Sequence, residues 1–97
     1  WRILYKDIQS ITHEGKYSIF LVQGERKIRV RKTLKEIFEE LTNYDFIWID
    51  RGTICNLAFV ECVHNGAIIM KNGDKFWISR GKIKYFKQLV QKYWDDR

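Results

Sequence analysis

The sequence contains no proline, so every sharp reversal of the chain has to be made by Gly, Asn or Asp. It has only two cysteines, Cys55 and Cys62, in 97 residues. They form neither a C-x-x-C pair nor a set with histidine at zinc spacing. Two thiols are also too few for the disulfide framework of a small secreted domain. Both fall in β-like stretches and read as buried thiols in a reducing compartment, which points to the cytoplasm. Histidine is equally scarce, with His13 and His64 alone. Neither stands in an H-x-x-x-H pair or an H-x-E followed by C-x-x-C, so no metal is expected.

Other absences remove further classes. There is no GxGxxG, no GxxxxGK[ST] and no GxSxG, so no phosphate-cradling loop or nucleophile elbow calls for a cofactor or a catalytic serine. Ser79 has no evident base, and Glu39-Glu40 reads as the polar face of a helix rather than a catalytic pair. An enzyme is not expected. The apolar runs, such as Ala67–Met70, fall far short of the ~20 residues that cross a bilayer, so no membrane contact is expected of this fragment. No Arg-rich or apolar leader with a small-residue cleavage site is written in these residues. A start at Trp1 rather than Met leads to the expectation that the chain is a piece of a longer protein.

What is present is cationic and foldable. Lys and Arg number 18 against 12 Asp and Glu, a net charge of +6. Hydrophobic residues make up 45% and aromatics 15%, which a disordered basic tail would lack. At this length one domain, residues 1–97, is expected. Its charge leaves nucleic acid, an acidic surface or an acidic protein as partner.

The chain reads as mostly β with two helices. Ile3 and Tyr5, then Ile8, Ser10 and Thr12, suggest short strands broken at Lys6-Asp7. His13–Lys16 reads as a polar loop into a strand at Tyr17–Val22. Gln23-Gly24-Glu25 turns the chain into a second arm, Arg26–Arg31. Thr33–Leu41 is helical, since Leu34, Ile37, Phe38 and Leu41 fall at i, i+3, i+4 and i+7. Thr33 and Glu36 have the spacing of a capping box, and Thr42-Asn43 ends the helix. Phe46–Asp50 reads as a strand broken by Arg51-Gly52, and Thr53–Asn56 as the next. Asn65-Gly66 and Asn72-Gly73 are strong hairpin signals because both residue types tolerate positive φ. They should join Phe59–Val63, Ala67–Met70 and Lys75–Ile78 into a meander. Ser79 then caps a last helix from about Arg80 to Tyr93, with Ile83, Phe86, Val90 and Tyr93 as its buried stripe. Arg80, Lys84, Lys87 and Gln91 share another face.

Two basic patterns stand out. In Lys27-Ile28-Arg29-Val30-Arg31, cations and aliphatics alternate, which places Lys27, Arg29 and Arg31 on one face of a strand. Such a strip is either a solvated face or a phosphate-facing one. Arg80 at the head of the last helix sits at the wrong end for the dipole. A guanidinium there suits an anion or the O6/N7 edge of guanine.

The stretch Phe46-Ile47-Trp48-Ile49-Asp50-Arg51-Gly52-Thr53-Ile54-Cys55-Asn56-Leu57, then Val60, resembles the pattern F-x-R-x-H-R-S-x-x-V-N-L-x-x-I. Asn72-Gly73 followed by Trp77-Ile78-Ser79-Arg80 is similar to its "NG…(P)-[IV]-S-R" ending. Thr33-Leu34-Lys35-Glu36-Ile37 stands where that pattern has "sLkel". This is the LytTR (LytR/AlgR-type) DNA-binding domain of bacterial response regulators, and the resemblance runs from about Ile8 to Gln91. It implies a mainly β fold of short antiparallel sheets packed as an elongated sandwich, with one small helix between sheets and a C-terminal helix. It also implies an N-terminal receiver in the parent protein, and a transcription regulator that binds double-stranded DNA at direct-repeat promoter sites, as a dimer on DNA.

By that resemblance Arg80 and Arg51 match DNA-contacting positions, and the loop near Lys16-Tyr17, with His13 close by, supplies a third contact. Lys27, Arg29, Ser79, Lys82, Lys84 and Lys87 are then candidates for phosphate contact. Asp50 stands where the pattern has His, and Gly52 where it has Ser. An acid beside Arg51 either orients the guanidinium or repels phosphate, and Gly52 removes a hydroxyl. The rival readings are a general polyanion or single-strand RNA module stacking bases on Tyr17, Trp77 or Trp94, and a protein-interaction domain with a basic face. A basic hydrolase comes third.

Overall fold

Alternation, turn chemistry and one capping box build eight strands and two helices in the computed structural model, which describes residues 3–42 and 44–97. The strands are β1 (Ile8–Glu14), β2 (Tyr17–Val22), β3 (Arg26–Val30), β4 (Phe46–Asp50), β5 (Thr53–Asn56), β6 (Val60–His64), β7 (Ala67–Met70) and β8 (Lys75–Trp77). The helices are α1 (Leu34–Glu40) and α2 (Ile83–Asp95). Short 3-10 turns occupy Tyr5–Asp7, Leu57–Phe59 and Arg80–Lys82. The fold is mainly β: two antiparallel sheets, a small helix and a C-terminal helix. The chain divides into two compact units, Trp1–Ala58 and Phe59–Arg97.

The first unit is a five-stranded sheet in the order β3-β2-β1-β5-β4, with α1 packed against β1 and β5. Its core joins Ile8, Ile11, Phe20, Val22 and Ile54 from the sheet to Leu34, Ile37 and Leu41 from α1 and the turn after it. Ile8, Ile11 and Ile54 are fully buried, each contributing about 1.5–3 kcal/mol. The predicted capping box at the start of α1 is present. The Thr33 hydroxyl accepts from the Glu36 N–H at 3.1 Å, and the Glu36 carboxylate accepts from the Thr33 N–H at 3.0 Å. That backbone donor, and then the hydroxyl, hold the Glu36 carboxyl below the usual carboxylate range. Asn43, half of the predicted helix stop, lies outside the described residues.

Three β-bulges explain where simple alternation fails. Ile8 pairs with Val22 and Ser10 with Leu21, so Gln9 is an extra residue. An extra residue reverses the facing of everything after it. Ile11, not Ser10 or Thr12, therefore joins Ile8 in the core. The expected strand around Ile3 and Tyr5 is instead extended chain followed by the Tyr5–Asp7 turn. A second bulge, at Ile49, lies between the Trp48–Ile54 and Asp50–Thr53 pairs. Asn56, buried in the motif segment, donates from Nδ2 to the Ile8 carbonyl at 2.9 Å and accepts from the Ala58 N–H at 3.0 Å. It closes the ends of β1 and β5 and starts the Leu57–Phe59 turn.

The second unit is the expected meander, β6-β7-β8, with α2 packed on β6. Asn65 and Gly66 both adopt positive φ, 51° and 80°, between the paired His64 and Ala67. This is the two-residue turn that Asn-Gly favours. Asn72-Gly73 behaves differently. Only Gly73 has positive φ, and the Asn72 side chain accepts from the Asp74 N–H at 2.9 Å, inside a longer connection closed by Met70 N–H to Asp74 O. Phe59, expected in β6, belongs to the preceding turn.

The third bulge, at Glu61 between the Val60–Met70 and Cys62–Ile69 pairs, corrects one thiol. It turns Cys62 outward, so Cys62 is exposed while Cys55 is buried. Burial pushes the Cys55 thiol up to about 12.

Candidate nucleic-acid interface

The first unit brings four of the sequence-predicted contact residues to one end of its sheet. β1 and β2 are joined by Gly15-Lys16 alone, with Glu14 and Tyr17 paired on either side. Gly15, at φ 60°, supplies the left-handed residue this short connection needs. His13 and Glu14, expected in a loop, are strand residues because the pairing runs to the last residue before the turn. β4 and β5 are joined by Arg51-Gly52, with Asp50 and Thr53 paired. β1 and β5 are neighbours and Thr12 pairs with Thr53, so His13 stands beside the Arg51-Gly52 tip.

The contact is close: a Cβ placed on Gly52 would lie 3.1 Å from Nε2 of His13 and 3.2 Å from Cδ2. Lys16, Arg51 and His13 are exposed. Asp50 braces the turn rather than pairing with Arg51. Its Oδ1 accepts the Gly52 N–H at 2.8 Å, an Asx-type brace for the tip, and it forms no ion pair with Arg51.

The same end gathers cations that the motifs did not single out. β3 ends here because Val30 pairs with Ser18, and the Ser18 hydroxyl donates to the Lys32 carbonyl at 2.6 Å. Lys32 and Lys35 then line a depression of ≈ 350 Å³ together with His13, Lys16, Tyr17 and Arg51, with Trp48 beside them. Their signal in the sequence is Lys32-Thr33-Leu34-Lys35, a capping box flanked by lysines directly after the basic arm. Lys32 is paired with Glu40 at 3.3 Å, and both groups are about half exposed. Such pairs contribute little, so Lys32 stays available.

β3 carries Lys27 and Arg29 of the expected basic strip, but it ends at Val30, so Arg31 lies beyond the strand. Lys27 and Arg29 are exposed, while Ile28 and Val30 are half-buried against the core. The Arg29 guanidinium lies 4.3 Å from the centroid of the Tyr17 ring, so one face of Tyr17 is already taken. Trp94 likewise carries the Lys71 ammonium at 4.6 Å. Of the three aromatics considered for base stacking, only Trp77 stands 68% exposed with neither ring face occupied among the described residues.

The second unit holds Ser79, Arg80, Lys82, Lys84 and Lys87, all exposed. The sheet ends where the Ile78 N–H donates to the Gly66 carbonyl at 2.9 Å. Arg80–Lys82 then forms a 3-10 turn, with the Lys82 N–H donating to the Ser79 carbonyl. Two expectations are corrected here. Ser79 makes no side-chain cap, and α2 begins at Ile83 rather than Arg80 and runs past Tyr93 to Asp95. Gly81 disfavours helix, and Lys82 at φ −110°, ψ 0° lies outside α geometry. Arg80 thus projects from a separate tight turn. Phe86 and Val90 are buried, with Ile83 and Tyr93 half-buried beside them, as the stripe requires. Lys84 and Lys87 remain outside.

Comparison with known proteins decides the family. The profile described as the LytTr DNA-binding domain matches residues 1–91. The chain belongs to the LytTR family. Among solved structures, the LytTR fold found here is similar to the LytTr DNA-binding domain of a putative methyl-accepting/DNA response regulator from Bacillus cereus. The TM-score is 0.74 and the identity 18%, over 91% of this chain and 84% of that one. No curated protein matches. The LytTR module is a DNA-binding domain, not a member of an enzyme class, and DNA is its partner. Among the described residues no group of three or more His, Cys, Asp or Glu stands together to hold a metal. Among the described residues no helix is long and apolar enough to cross a membrane.

Proposed function

We propose that this LytTR domain binds double-stranded DNA sequence-specifically as the cytoplasmic output module, residues 1–97, of a bacterial transcription regulator of the response-regulator type, with its input domain elsewhere in the parent protein. Arg80 and the Gly15-Lys16 tip, with Tyr17 and His13, read base edges in successive major grooves, and Arg51 contacts the groove region between them. Lys27, Arg29, Ser79, Lys82, Lys84 and Lys87 hold phosphates and fix register without reading sequence. Two copies occupy direct-repeat sites.

One observation carries the reading. Lys16 and Arg51 stand exposed on adjacent, two-residue hairpin tips, and neither side chain is spent on a hydrogen bond or ion pair among the described residues. A guanidinium held on a braced tip starts from a fixed point and has less freedom to lose when it enters a groove. Selection of binding sites from random duplexes tests it. A sequence-specific reader enriches a defined motif and binds it at least about 10³-fold more tightly than random duplex. Recovery of unenriched sequence refutes the reading. The exposed indole of Trp77 favours one second reading, single-strand binding by stacking. Tighter binding of single strands than of the selected duplex would favour it.

A further inference from the structure

Gly52 is the glycine among those described whose missing side chain makes room for another group. Gly15, Gly24, Gly66 and Gly73 have positive φ and serve backbone geometry, and a Cβ on Gly81 meets open space. Gly52 has no positive φ, so the left-handed region does not explain a glycine there. A Cβ there would instead press on the His13 ring, at 3.1 Å from Nε2 and 3.2 Å from Cδ2, with Asp50 Oδ1 at 3.7 Å. Those ring contacts are tighter than ordinary van der Waals distance. Asp50 fixes the same peptide through the Gly52 N–H at 2.8 Å, so the turn cannot move away without losing that bond. The ring has to give way by a few tenths of an ångström.

We propose that Gly52 is a positioning residue for His13: the bare backbone of the Arg51-Gly52 tip, braced by Asp50, seats the imidazole so that the β1–β2 and β4–β5 tips present one joint DNA-reading surface. The inference rests on the DNA-reading role given above to these tips. The family pattern quoted above has Ser at this position, and a side chain there would displace the ring.

The test is a double-mutant cycle of Gly52→Ala and His13→Ala, with binding measured by fluorescence anisotropy on the selected duplex and on random duplex. Gly52→Ala is expected to weaken the selected duplex by about tenfold and to lose most of that effect in the His13→Ala background. Random duplex should change little. In the free protein, the His13 ring signals in ¹H–¹³C NMR should shift in Gly52→Ala, and the Tm should stay at or above the wild-type value. An equal loss with and without His13, or unchanged His13 signals, overturns the positioning role. Wild-type protein that does not discriminate the two duplexes overturns the underlying reading instead.

Discussion

The two units hold their exposed cations by different means. In the first, Lys16 and Arg51 ride on two-residue tips pinned on both sides by paired strands, and Asp50 braces the second tip. In the second, Arg80 leaves a 3-10 turn with no side-chain cap, and Lys84 and Lys87 spread along the outside of α2. A pinned tip fixes where a side chain starts and leaves less freedom to lose on binding, which suits base edges. A helix face distributes charge and suits a phosphate backbone. The comparison makes shape-changing substitutions costly to recognition in the first unit, and charge-removing ones costly to general affinity in the second.

The largest expected effect removes the packing that supports the second unit's cations. Phe86→Ala should destabilise the domain by about 3–5 kcal/mol in urea unfolding, because Phe86 is 2% exposed against its unit's sheet. A loss under 1 kcal/mol would mean that α2 is not anchored as described. The two thiols sharpen the comparison next. Cys62, outside the Glu61 bulge, should react with a thiol reagent in the native protein, and Cys55 should not. The Cys55 thiol ionises only at about 12 when folded but near 9.0 when unfolded, so its contribution is complete below pH 9 and is lost as pH rises towards 12. Stability should fall as pH rises through that window because the unfolded thiol ionises first. A Cys55→Ala variant, compared with wild type by denaturant titration, should lack that part of the slope.

Smaller effects separate a braced turn from an uncapped one. Asp50→Ala should cost about 1 kcal/mol of stability through the lost Gly52 hydrogen bond. Ser79→Ala should leave the Tm unchanged, since its hydroxyl caps nothing, so any weakening on DNA reports a lost contact. If Ser79→Ala destabilises as much as Asp50→Ala, the distinction between the turns fails. The smallest effect is that of Lys84→Ala. It should weaken all duplexes alike and lower the salt dependence by about one phosphate contact, read from the slope of log affinity against log salt.

Much of this was legible in the residues. The α1 stripe with its capping box, the β2–β3 arm with its basic strip, and the Asn65-Gly66 turn each follow from local chemistry acting alone. The misses share a cause. A bulge is a property of a pair of strands, so alternation along one strand does not mark Gln9, Ile49 and Glu61 as extra residues, and Cys62 turns outward where alternation buries it. The start of α2 was misplaced because Ser79 has the composition of a cap without making its bond. At the candidate interface, Arg51, Lys16, Tyr17 and His13 were found singly. That they share an end with Lys32 and Lys35, and that His13 rests on Gly52, needed the pairing of β1 with β5.

The most direct measurement of the central claim compares losses on two ligands. Arg51→Ala and Arg80→Ala should each weaken the selected duplex by about 1–3 kcal/mol while leaving random duplex nearly unchanged, whereas Lys84→Ala should weaken both equally. Equal losses on both duplexes for the two arginine variants would contradict base reading and reduce the interface to a polyanion surface.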